Sequence, residues 1–121
     1  MRTSYIELLG RNYPLCLSLS AAEELVNAFG SLDAMADLLD GQDISKMTKA
    51  VDTILSVLMK AGRIYAQALG EEVPPELPCR PADLIDVREQ NAVQSIFNAM
   101  RSDTERTVEA DIKNAGAAPA G

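Results

Sequence analysis

Tyr5, Ile6, Leu8 and Leu9 form an apolar-rich run of strand length, and Tyr13, Leu15 and Leu17 then alternate with Pro14, Cys16 and Ser18. Gly10-Arg11-Asn12 supplies turn residues between them, so the spacing predicts a β-hairpin over 4–18. Pro14 has no N–H to give a ladder, which places its strand at an edge or Pro14 itself at a bulge. Ser20-Ala-Ala-Glu23 fits a capping box, in which serine and glutamate satisfy the orphan donors of a helix start. Ala22, Leu25, Val26 and Phe29 share one face at helical spacing and predict a helix over 20–29. Gly30 suits its C′ position. Ser31 suits the N-cap of a second helix over 32–40, and Gly41 lies just past its end.

Ile44, Met47, Val51, Ile54, Leu58, Ala61, Tyr65 and Ala68 then advance in steps of three and four, predicting a helix over 44–69. Ala50, Leu55, Val57 and Ile64 widen this stripe, Asp43 or Ser45 can cap its start, and Gly70 can end it. Such a helix is on the order of 39 Å long at about 1.5 Å per residue. Either it breaks, or one end projects toward a partner. Gly62 costs it about 1 kcal/mol relative to alanine. It reads as a mild kink or tolerated surface glycine or, beside Ala61 and Ala66, as a point of close approach by another helix.

Pro74, Pro75 and Pro78 mark 71–80 as an extended connection within one domain. Pro81 suits the first turn of a helix over 82–100, opened by Asp83, Leu84 and Ile85 and continued by Ala92, Val93, Ile96, Phe97 and Met100. A break near Asp86 or Val87 stays open. Past Arg101 the pattern dissolves, and 101–121 reads as a flexible tail in which Arg106 to Ile112 can form an isolated strand. Val108 and Ile112 in that tail are the candidate partner-binding residues, able to add a short strand to a neighbour. The expectation is an α+β fold, mostly α, with an N-terminal β-hairpin, about four helices and a single globular domain over 1–100.

A chain of 121 residues can bury roughly two-thirds of its unfolded surface. With no Trp, two Phe and three Tyr, its core must come from Leu, Ile, Val, Met and Ala. Met35, Met47, Met59 and Met100 either fill that core or offer adaptable partner contacts. The net charge of −7 argues against a nucleic-acid backbone or an anionic membrane surface as principal ligand. Met1-Arg2-Thr3 leads into mixed polar and apolar residues, unlike a signal peptide, and no run of about 18 apolar residues could span a bilayer. A cytoplasmic protein with Cys16 and Cys79 reduced is expected, with a disulfide between them as the alternative.

Candidate chemistry is sparse. The absence of histidine removes the usual general base near neutral pH and the commonest metal ligand. Asp33, Asp37 and Asp40 share a helix face but lack the loop carbonyls and turn glycine of a calcium site, so they read as a solvated acidic face. No phosphate-loop or dinucleotide fingerprint is present, and the serine and threonine hydroxyls have no evident base. We therefore expect no catalytic residues, no metal and no cofactor. Leu25 to Met35 resembles the phrase following a helix-hairpin-helix in some DNA-repair proteins. It holds a single Gly30 followed by Asp33 and Asp37, which repel phosphate.

As an ordered set, the hairpin Tyr5-Ile-Glu-Leu-Leu-Gly-Arg-Asn-Tyr-Pro-Leu-Cys-Leu17 and the helix Ala21-Ala-Glu-Glu-Leu-Val-Asn-Ala-Phe-Gly-Ser31 begin an arrangement that continues with the long apolar helix. Arg80-Pro-Ala-Asp-Leu-Ile85 and a closing helix with a polar tail complete it. This arrangement, over roughly residues 4–114, resembles the tail assembly chaperones of long-tailed bacteriophages and prophages. The resemblance implies a protein in the cytoplasm of the bacterial host that engages the tape-measure protein and keeps it soluble. Tail-tube subunits then displace it as they polymerise. A homo-oligomer is expected. A helix-hairpin-helix-like nucleic-acid-binding module is the alternative reading, and a structural tail or head-completion subunit a weaker one.

Overall fold

Leu9 and Gly10 both take positive φ, 55° and 74°, the backbone of a type I′ turn. In this computed structural model, which describes residues 4–41, 43–89 and 92–100, that turn folds β1 (Ser4–Leu8) antiparallel onto β2 (Arg11–Leu15). Leu8 faces Arg11, Ile6 faces Tyr13 and Tyr5 faces Pro14. The turn was expected at Gly10-Arg11-Asn12 but lies one residue earlier. A type I′ turn needs two consecutive residues at positive φ, and Gly10 fills the second at little cost. This register buries Ile6, Leu8, Tyr13 and Leu15 on one face. Counting outward from the turn, hydrogen-bonded and non-hydrogen-bonded pairs alternate, and Pro14 falls in a non-hydrogen-bonded one. Its missing N–H costs the ladder nothing, and no bulge is required.

Ser18, not Ser20, caps α1 (Leu19–Phe29), its hydroxyl accepting from the Ala21 N–H at 3.1 Å. This start turns Ala21 and Leu25 into the core and leaves Ser20 and Glu23 exposed, so the capping box is not used. Gly30, at φ 93°, closes α1 with its N–H on the Val26 carbonyl. Ser31 accepts from the Ala34 N–H at 3.0 Å and starts α2 (Leu32–Asp40), as its sequence position implies.

The long stripe forms α3 (Ile44–Ala68), 25 residues without a break and about 37 Å long. Asp43 caps it by accepting from the Lys46 N–H at 3.1 Å. At the other end, Gly70 and Glu71 donate to the Gln67 and Ala66 carbonyls, both at 3.0 Å, closing a Schellman motif. Met47, Ala50, Val51, Ile54, Leu55, Leu58 and Ala66 are buried, and α3 touches β2, α1 and α2. Burial runs from Met47 to Ala66, while Ile44 at 54% and Ile64 at 60% stay exposed.

Gly62 is neither a kink nor a surface position. It is buried, and a Cβ built on it would strike the Pro14 carbonyl and lie 2.8 Å from the Leu15 nitrogen. The close approach is made by a strand, not by another helix.

The helix expected over 82–100 is replaced by two 3₁₀ turns, Pro81–Leu84 and Val87–Glu89, and a helix α4 over 92–100. Ile85 turns extended, at φ −103° and ψ 121°, and ends the first of these turns, while nearby carboxylates hold the backbone donors around them. Asp83 accepts from the Arg80 N–H at 3.1 Å, Asp52 from Ala82 at 3.3 Å and Asp86 from Arg88 at 2.8 Å. Val93, Phe97 and Met100 of α4 join a core that also holds Met35 and Met47, while Met59 is partly buried at its margin. The tail over 101–121, with Val108 and Ile112, lies outside the described residues.

Gly62→Ala is expected to destabilise the protein. Overpacking against immobile backbone costs about 1–3 kcal/mol and opposes a helix-propensity gain of about 1 kcal/mol. Urea unfolding should show a lower midpoint, where an open helical site would show a higher one. Leu9→Asn should raise stability by about 1 kcal/mol, because asparagine accepts the left-handed conformation that leucine resists. A thermal melt reads this directly.

Candidate functional site

Asp52 and Arg63 lie on nearly the same face of α3, about three turns and roughly 16 Å apart. Each holds one end of the proline-rich segment. The Arg63 guanidinium donates to the Pro74 carbonyl at 2.7 Å. The Asp52 carboxylate accepts from Arg80 Nε at 3.1 Å and from the Ala82 N–H at 3.3 Å. Pro74 to Arg80 is long enough, at up to about 3.3–3.6 Å per residue, to bridge these clamps as an extended strap.

A groove of about 390 Å³ opens between the strap, α3 and β2. Tyr13 and Pro14 come from the hairpin. From α3 come Ser56, Met59, Lys60 and Arg63, spaced to share one side of the helix. The strap adds Val73, Pro74, Glu76, Leu77 and Cys79, and Pro81 closes the end. Lys60 is tied to Glu24 of α1 at 2.7 Å, an exposed pair. Arg63 is half-buried and has no carboxylate partner among the described residues.

A second feature lies at the sheet edge. Beyond β2, α3 covers the outgoing chain, and the Cys16 N–H donates to the Leu58 carbonyl at 3.1 Å. The outer edge of β1 has no such cover. Tyr5 and Glu7 stand in non-hydrogen-bonded pairs, so their backbone N–H and C=O groups point away from β2. Among the described residues these groups have no backbone partner. Tyr5 on this strand is 54% exposed, and Leu9 in the adjoining turn 59%.

The turn between α1 and α2 has the opposite character to a phosphate site. Neither helix contains Lys or Arg, and Asp33, Asp37 and Asp40 are exposed on α2. Among the described residues, no three His, Cys, Asp or Glu side chains gather as a metal site. Cys16 and Cys79 are not joined in a disulfide. Burial pushes the Cys16 thiol above its ordinary pKa, while Cys79 is exposed on the groove wall.

The candidates drawn from the sequence, Val108 and Ile112, fall outside the described residues; an edge at the Pro14 hairpin was expected, while the groove and the outward groups of β1 are additions from the structure. The regular proline spacing was the only hint of the strap. Comparison with known proteins finds no matching family model, no matching curated protein and no matching solved structure. No described helix is long and apolar enough to cross a membrane.

DTNB should titrate one thiol per native chain and two in denaturant, because Cys79 is exposed and Cys16 is fully buried. Two fast thiols in the native protein would mean that the hairpin leaves α3 readily.

Proposed function

We propose that this chain is a tail assembly chaperone of a long-tailed bacteriophage or prophage, working in the cytoplasm of the bacterial host. It binds the tape-measure protein, keeps it soluble, self-associates, and gives way as tail-tube subunits polymerise. It acts as a binding protein and not as an enzyme, with no cofactor, membrane or nucleic acid involved. The order of the hairpin and helices described from the sequence supports this reading.

The observation that carries it is the open β1 edge. The outward backbone groups of Tyr5 and Glu7 offer hydrogen bonds to any extended segment, largely regardless of sequence, and Tyr5 and Leu9 add apolar contact. A chaperone for a long polypeptide needs that tolerance. The absence of Lys and Arg from α1 and α2 favours a polypeptide over a phosphate backbone as the ligand.

Co-expression with a tape-measure protein should move that protein from the pellet to the supernatant. An unchanged pellet would remove the chaperone reading. Self-association has its own test. Light scattering after gel filtration should give a mass above the monomer's 13.0 kDa. Glu7→Pro should lower that mass without unfolding the hairpin, because the Glu7 N–H donates nothing to β2. In fluorescence anisotropy at physiological salt, duplex DNA should not bind at micromolar protein. Tight, steeply salt-dependent binding would favour the nucleic-acid module instead.

A further inference from the structure

In this acidic protein, Arg63 is a cation with no carboxylate partner among the described residues. It is half-buried, its one hydrogen bond goes to the neutral Pro74 carbonyl at 2.7 Å, and it belongs to none of the ion pairs among the described residues. A guanidinium has five N–H donors in a planar fork that matches a carboxylate. Partial burial weakens its hydration and so strengthens its preference for an anion.

The surroundings of that cation are mostly apolar. Met59 lies one turn before it on α3, and Val73, Leu77 and Pro81 face it from the strap side of the groove. Lys60 is engaged by Glu24, and Glu76 is the opposing charge on the wall, so discrimination between a carboxylate and a neutral amide falls to Arg63. A volume of about 390 Å³ is too small to enclose a helix, and lies near the lower end of the roughly 300–1,000 Å³ typical of ligand sites. Pro74, Pro75 and Pro78 remove three of the strap's backbone donors. The interrupted backbone offers no continuous ladder, so selectivity here falls to side chains, unlike the main-chain pairing offered by β1.

We propose that the groove binds a short extended segment of a partner polypeptide, in which one carboxylate side chain is flanked by aliphatic residues. The carboxylate pairs with Arg63, and the aliphatic neighbours pack on Met59 and Leu77. The proposal rests on reading the chain as a polypeptide binder, and it adds a second, sequence-selective contact to the tolerant edge. The overall charge of −7 does not prevent it. Exposed carboxylates are screened over about 8 Å at physiological salt, whereas a pair formed in an apolar groove is screened much less.

The test uses the full chain and a rhodamine-labelled, amide-capped peptide, Leu-Val-Asp-Leu-Val, with Leu-Val-Asn-Leu-Val as control. Anisotropy should show saturable binding of the aspartate peptide, at least tenfold tighter than the asparagine peptide. Arg63→Gln should abolish that difference. Because this substitution also releases a strap clamp, a second readout uses the unaltered protein. Saturating aspartate peptide should slow alkylation of Cys79 by iodoacetamide at least threefold. No binding at millimolar protein, equal binding of both peptides, or binding that leaves Cys79 alkylation unchanged would each overturn the proposal. No phage protein enters this assay, so its failure is distinct from a failure to solubilise the tape-measure protein.

Discussion

A backbone-to-backbone contact between β2 and α3 sets the geometry of everything around it. A two-stranded hairpin is marginal by itself and persists only when packed on something else. Here Pro14 and Gly62 meet with no side chain between them, and the Cys16 N–H adds a hydrogen bond to the Leu58 carbonyl at 3.1 Å. The two residues suit each other for opposite reasons. Pro14 sits where no ladder donor is wanted, leaving its carbonyl free to point outward, and Gly62 lacks the Cβ that would block that carbonyl.

The two candidate binding features follow from this contact. α3 covers the chain leaving β2, whereas the outward backbone groups of Tyr5 and Glu7 on β1 have no backbone partner among the described residues. Because the hairpin lies so close to α3, Tyr13 and Pro14 form one wall of the groove, and the strap clamped by Asp52 and Arg63 forms the other. One accommodation in the core thus places both a sequence-tolerant edge and a charged, apolar-lined groove on the surface. In the proposed chaperone role, they would hold a client by its backbone and by selected side chains respectively.

Features governed by neighbouring residues were legible in the sequence. Gly30, Ser31, Asp43 and Gly70 act within one turn of themselves, and the helices they punctuate lie close to where the pattern puts them. Ser18 was missed in favour of Ser20 because both precede plausible first turns, and only the burial of Ala21 and Leu25 decides between them. A break near Asp86 or Val87 was left open by the sequence, but its extent was missed: Ile85 turns extended, and Asp83 and Asp86 hold short turns on either side that apolar spacing does not show. Asp86 is stabilised as a carboxylate by the Arg88 guanidinium and backbone N–H, which hold its pKa below the ordinary range. Gly62 and Arg63 are tertiary in meaning. A helical pattern records that a glycine is tolerated but not what approaches it, and it cannot show that an arginine clamps a strap through the Pro74 carbonyl.

The Cys16 amide tests the central contact most directly, by native-state hydrogen exchange at rising denaturant. If the hairpin is locked on α3, this amide exchanges only through global unfolding. Its opening free energy then equals that of the α3 core amides and falls with denaturant at the same slope. Exchange through a cheap local opening with little denaturant dependence, while the α3 amides stay protected, would show that the hairpin detaches alone and that the contact does not organise the fold.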